Sequence, residues 1–483
     1  MNQVEKPNQF HVKTLIFRGF LVSLLICPVS VPAVAGHLWK TLPVQNQGRV
    51  KPFDTVAREV LSTVYGRETF KPTAKTSPPS GSKEEKPSFW QKRGKRRAAV
   101  DVVLSWMLIP DFWDTVPFIL VESGQVKEAL GLSLKHRRFS PVELANSQKL
   151  ALQLTELQAL RQRKETLDSY FKSLEKLEAR WFLYSAVKSG ILLRIEPQEE
   201  AGKSWRSLSE LSPPVKEKLQ QAIQAYIQWI SSLSGPSDKQ NQPSDGRVKE
   251  TKNAPIQERD ASTLQENHQK TVKNRKEALK NALLALQNEI FQNSRQHFSP
   301  WKIQAEVFLN SLKPFRLAWM LYLLFLIGCL FLPFTQKGRW IPWFFYASGI
   351  ISHISGLVLR SYIMSRPPVT NMYETVVWVP FVALVVGLVF YWRKAFVPFI
   401  ASVILAFFCL FLTDMAPQTL DGRLQPLEAV LRSNFWLSTH VLIITMSYAF
   451  FCLAFILGDI ALLRLLFKKT SGIAEEASPA IYR

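Results

Sequence analysis

The chain has 483 residues, with 60 Lys and Arg against 38 Asp and Glu and a formal net charge of +22. That length exceeds what one hydrophobic core usually organises, so at least two folding units are expected. The basic residues are spread over linkers and helix faces with no aromatic-interleaved patch, which argues for no nucleic-acid partner.

In chain order, Lys6, Lys13 and Arg18 precede the apolar run Gly19 to Val34, and Ala33-Val34-Ala35 offers a small-x-small cleavage site. Residues 1–35 therefore read as a signal peptide or signal anchor, and the region beyond it is expected outside the cytoplasm. Residues 36–70 form an extracytoplasmic N-terminal segment. Its Leu42 to Arg58 stretch reads as a loop leading into a short helix that Asp54 or Thr55 can cap. Residues 71–98, rich in Pro, Ser, Lys and Arg, bury too little apolar surface to offset ordering entropy and read as a disordered linker. Residues 99–312 carry leucines and aromatics at helical spacing, among them Leu150, Leu157, Leu174, Leu177 and Trp181, with a polar linker near 234–275. His136, His268 and His297 sit among polar residues without metal-ligand spacing and read as surface side chains. The four cysteines, Cys27, Cys329, Cys409 and Cys452, all lie in apolar runs with no CxxC, and read as buried apolar groups.

A spanning helix needs about 20 predominantly apolar residues. Five segments within 313–467 meet that need, at about 315–334, 341–359, 371–391, 396–413 and 435–463. Lys337 with Arg339, Arg393 with Lys394, and Arg464 with Lys468 and Lys469 fall on the side predicted to be cytoplasmic, together with the tail 468–483. The fold class is all-α, a polytopic α-helical membrane protein with a mainly helical extracytoplasmic region.

Ionisable residues within spans are functional candidates. His353 beside Ser352 and Ser355 reads as a helix–helix hydrogen bond or a ligand. His440, at the outer end of the fifth span, can reach a ligand at the membrane face, with Trp436 one helical turn away to stack on a flat ring. An interfacial hydrogen bond accounts for it equally well. In the loop before the third span, Thr370 can cap the helix and Glu374 suits its first turn. The sharper reading of the same loop is a binding site in which Arg360 and Arg366 pair with a ligand carboxylate.

Two long stretches resemble a known family. RPPVTNMYETVVW, Arg366 to Trp378, and LRSNFWLSTHVLIITMSYAFF, Leu431 to Phe451, resemble the CcsA/ResC branch of the cytochrome c assembly family. LPVQNQGRVKPFDTVARE, from Leu42, resembles the extracytoplasmic N-terminus of its long-form members. The resemblance implies a component of c-type cytochrome biogenesis in the bacterial inner membrane, which handles b-type haem transiently at the outer face for attachment to apocytochrome c. If active, the chain belongs to a haem–apocytochrome c ligation complex, the System II cytochrome c synthase. The resemblance assigns His440 to haem iron; Trp436, Arg366, Asn371 and Glu374 are the further candidate cofactor-binding residues. The family's tryptophan-rich WWD segment, with its second outer histidine and its membrane-embedded histidine, is missing. An incomplete or split member is therefore expected, partnered by other System II subunits or by a separate chain carrying that segment, with lipid around the spans. The residues alone leave open a non-catalytic scaffold whose helical extracytoplasmic region recruits a partner. A transporter ranks last, because buried polar groups are few and no inverted repeat is visible.

Overall fold

The computed structural model describes residues 38–72, 96–198, 204–233, 258–293, 299–331, 340–417, 419–426 and 435–470. The predicted signal, most of the basic linker at 71–98, His297 and most of the tail lie outside these residues.

The motif at Leu42 folds as a hairpin before its helix, where sequence pattern predicts a loop. Strands β1 (Pro43–Asn46) and β2 (Arg49–Pro52) pair antiparallel with Asn46 opposite Arg49. Gln47 and Gly48 between them take positive φ of 50° and 78°, the two left-handed positions that a tight twisted hairpin turn requires. Helix α1 (Phe53–Tyr65) follows directly and ends at Gly66 in the left-handed conformation.

Short strand pairs and helices then alternate. Strand β3 (Thr69–Phe70) pairs with β4 (Arg97–Ala98), and β5 (Ile119–Leu120) pairs with β6 (Arg138–Phe139). Between and after them come α2 (Ala99–Leu108), α3 (Pro110–Thr115), α4 (Gly124–Ala129), α5 (Pro141–Ala145), α6 (Gln148–Gln162) and α7 (Ser169–Lys188). Strands β7 (Arg194–Glu196) and β8 (Arg206–Ser207) extend the first hairpin into a four-stranded sheet of order β2-β1-β7-β8. Helices α8 (Pro213–Ser232) and α9 (Glu258–Asn293) then pack together. Helix α9 begins at Glu258 and so takes in the second half of the stretch whose polarity predicts a linker; Leu279, Leu283, Leu286 and Ile290 bury its C-terminal half.

These elements share one apolar core, centred on α1, α2 and α7. Trp106, fully buried, stacks on Phe118 at 4.9 Å and meets Tyr184 edge-on at 5.3 Å. The region is therefore a packed domain, and helices with caps such as Asp168 at the start of α7 supply most of its mass.

Helix α10 (Pro300–Leu312) leads into the first of five helices long and apolar enough to cross a membrane. These are α11 (Pro314–Phe331), α12 (Trp340–Met364), α13 (Met372–Trp392), α14 (Phe396–Met415) and α15 (Phe435–Thr470). Lys313, at φ 47°, breaks α10 from α11, and the buried Ser352 hydroxyl donates to the Pro314 carbonyl at that break. The chain is a multi-pass membrane protein. Helices α11 to α14 bury a common aromatic core, while α15 lies against α13 and α14 through Ala449 and Leu453.

His353 is fully buried in this bundle. Its Nε2–H donates to the Val377 carbonyl at 3.0 Å, since a carbonyl can only accept, and Nδ1 then accepts from the Tyr322 hydroxyl at 3.3 Å. Pro380 inside α13 deprives that helix of one N–H just beyond this carbonyl. Both imidazole nitrogens are thus engaged in tying three helices together.

Candidate functional site

The domain meets the bundle at the end where α11 and α13 begin and α12 and α14 finish, and charged side chains are prominent in the contact. Arg49, first residue of β2, lays its two terminal nitrogens against both oxygens of Glu306, each at 2.7 Å. The Thr55 hydroxyl donates to the same carboxylate at 2.8 Å, and Asn310 donates to Thr55. Glu306 is the only acid in α10 and is 2% exposed. Its place on the apolar side of that helix is the sequence signal by which a partner could have been sought, because an acid on a buried face needs a cation or several donors.

Three arginines converge from this junction on one loop, residues 419–426, and each holds a backbone carbonyl. Arg360 Nη1 donates to Gly422 at 3.0 Å, Arg49 Nε to Leu424 at 2.9 Å and Arg366 Nη2 to Gln425 at 2.7 Å. Arg423, within the loop, reaches back to the Thr63 hydroxyl of α1. Beside them Lys51 is fully buried between Glu59 at 2.7 Å and Gln47 at 3.0 Å; burial pulls its pKa down against the opposing pull of Glu59. Arg316 and Asp414 close the edge between α11 and α14.

The predicted binding loop is spent on internal bonds. Asn371, one residue beyond the expected Thr370, caps α13 by accepting from the Glu374 N–H at 2.8 Å. One Glu374 oxygen takes Arg360 at 3.1 Å; the other takes the Thr370 N–H and hydroxyl, at 3.1 and 2.8 Å. Arg360 and Glu374 are 4% and 2% exposed, and the guanidinium also lies 4.8 Å over the Tyr373 ring. This pair is an inward-facing structural lock and not a free recognition site.

Arg366 differs. It is half-buried and pairs with no carboxylate among the described residues, though its Nε–H, like that of Arg360, is buried without a partner there. Burial, reinforced by Arg360 and Arg49 and opposed by Glu374, holds its pKa below the ordinary value. Arg49, Arg360 and Arg366 face two carboxylates, Glu306 and Glu374. Among the described residues Arg366 is the one of the three with no carboxylate at ion-pair distance.

His440 stands apart from the lock. It lies nine positions before Ala449, which is two and a half turns, so it occupies the side of α15 opposite the contact with α13. The axial rise over that stretch is about 13 Å, which brings His440 up to the end of the bundle where Asn371 and Glu374 lie. It is exposed and makes no hydrogen bond or ion pair among the described residues. Trp436 sits one turn earlier on the same helix, with its side chain outside the described part. The structure thus places Arg366 and Asn371 in the loop before α13 and Glu374 in the first turn of that helix, and presents His440 separately.

No family model matches the chain. It is similar to Protein NrfI of Wolinella succinogenes, 24% identical over 437 residues, an alignment covering 86% of this chain and 40% of that protein. That coverage takes in both the N-terminal domain and the spans. The chain spans well under half of that relative's length.

Proposed function

We propose that this chain is a membrane component of c-type cytochrome biogenesis which handles haem at the end of the bundle that carries the arginine junction. That end is the extracytoplasmic face of the bacterial inner membrane, and the haem is passed there to apocytochrome c. The reading rests on the two motif stretches, on the similarity to Protein NrfI and above all on His440. His440 is an exposed imidazole at the membrane boundary, with no hydrogen bond or ion pair among the described residues. Haem is the cargo, and imidazole nitrogen is a good ligand to its iron. The exposed apolar side of α15, with Ile443 and Phe451, suits the porphyrin's apolar body, and Trp436 can stack on it. Arg366 supplies the cation for a propionate, while Asn371 and Glu374 hold the loop that carries it.

The full chain purified from haem-replete membranes is expected to show a Soret band. His440→Ala should lower its haem affinity about tenfold or more, and added imidazole should restore the band. An unsubstituted chain without the band, or a substitution without effect, removes the haem reading.

A scaffold reading has its own observation. An apolar groove of about 460 Å³ runs between α6 and α7, lined by Leu150, Leu154, Leu177, Trp181 and Phe182, and Phe182 is 72% exposed at its rim. A recruited apocytochrome would bury this surface. Phe182→Asp should then weaken cross-linking of apocytochrome to the chain while leaving haem binding intact, whereas unchanged cross-linking rules the groove out.

A further inference from the structure

We infer that Arg49, in the first hairpin of the domain, is a positioning residue for the haem-bearing end of the bundle; this rests on the haem reading above. Its guanidinium is half of a rigid path from α10 to the loop at 419–426. Glu306 is fixed by Thr55 and fully turned inward, and it clamps both terminal nitrogens of Arg49. The remaining Nε–H points at the Leu424 carbonyl. Because the bond goes to the backbone, it fixes where the loop runs whatever its side chains do. Leu424 is pressed from the other side against Leu309 and Ile363, and the hairpin turn itself abuts the loop, with Pro426 Cγ 3.7 Å from where a Cβ on Gly48 would stand. The next carbonyl of the same loop, that of Gln425, is the one Arg366 holds at 2.7 Å. Arg49 therefore sets where the loop holds the Arg366 guanidinium, the cation assigned above to a haem propionate. Lysine cannot replace it, since a single ammonium cannot hold a carboxylate by two parallel bonds and a carbonyl by a third.

Arg49→Lys and Glu68→Gln in the full chain separate positioning from simple docking. Glu68 also joins domain to bundle, through Arg58 and Lys313, but touches neither the loop nor Glu306. With haem as the probe, Arg49→Lys should lower affinity about tenfold, shift the Soret band and raise hydrogen exchange across 419–426, while Glu68→Gln leaves all three unchanged. Haem bound identically by the unsubstituted chain and Arg49→Lys overturns the positioning role and leaves the haem reading intact. Equal effects of the two substitutions also overturn it, because docking alone would explain them. An unsubstituted chain that binds no haem overturns both.

Discussion

Arg360→Leu is expected to lower the unfolding free energy of the detergent-solubilised chain by about 3–5 kcal/mol, and Arg360→Leu with Glu374→Leu to recover most of that loss. The asymmetry comes from where the pair sits. Both side chains are almost completely buried, so removing the guanidinium strands a carboxylate that water cannot reach. Thr370 and the helix N-terminus stabilise that carboxylate only in part. Removing both charges takes away the need for either. A ligand-binding role for Glu374 makes a different forecast: the double variant would remain stable but lose haem. Denaturant titration and the Soret band, measured on the same samples, distinguish the two outcomes.

Gly387→Leu is expected to be comparably severe, costing about 3 kcal/mol and releasing α15 from the bundle. A Cβ at this position would stand 2.0 Å from the Ser402 hydroxyl and 2.7 Å from its Cβ, and Ser402 is fully buried with its hydroxyl donated to the Phe399 carbonyl. Within a bilayer, close backbone approach between small residues is a main source of helix–helix attraction. Forcing α13 from α14 also disturbs Val382, Ala383 and Ala401, against which Ala449 and Leu453 of α15 rest. Ser402→Gly in the same chain should recover part of the loss. Thermal aggregation temperature in detergent provides the measurement, and an unchanged value for Gly387→Leu would show that the two helices are not held this closely.

The spans were legible because apolar length is a local property, and five helices among the described residues are long and apolar enough to cross a membrane. The hairpin at Pro43–Pro52 was not, since two positive-φ residues at Gln47-Gly48 are a weak signal among prolines, and the strands are completed by β7 from far along the chain. Asn371 took the cap from Thr370 because Thr370 turns its hydroxyl to Glu374 instead. At the candidate site, residue type pointed to Arg366 and His440, whereas the roles of Arg360 and Glu374 depended on facing each other across α12 and α13. Arg49 was invisible for a stronger reason: both of its partners lie hundreds of residues away, and no window of sequence holds it together with either.

That distance has a consequence for how the molecule is made. Arg49 bonds to residues 257 and 375 positions further on. Contacts of such separation form late, after the intervening chain has paid its loop-closure entropy. Arg49 therefore waits, its guanidinium still in water, until four spans have been inserted and the loop behind them has arrived. Biogenesis of the junction is in this sense a proofreading step, because only a chain whose membrane segments are threaded correctly can complete its earliest fold.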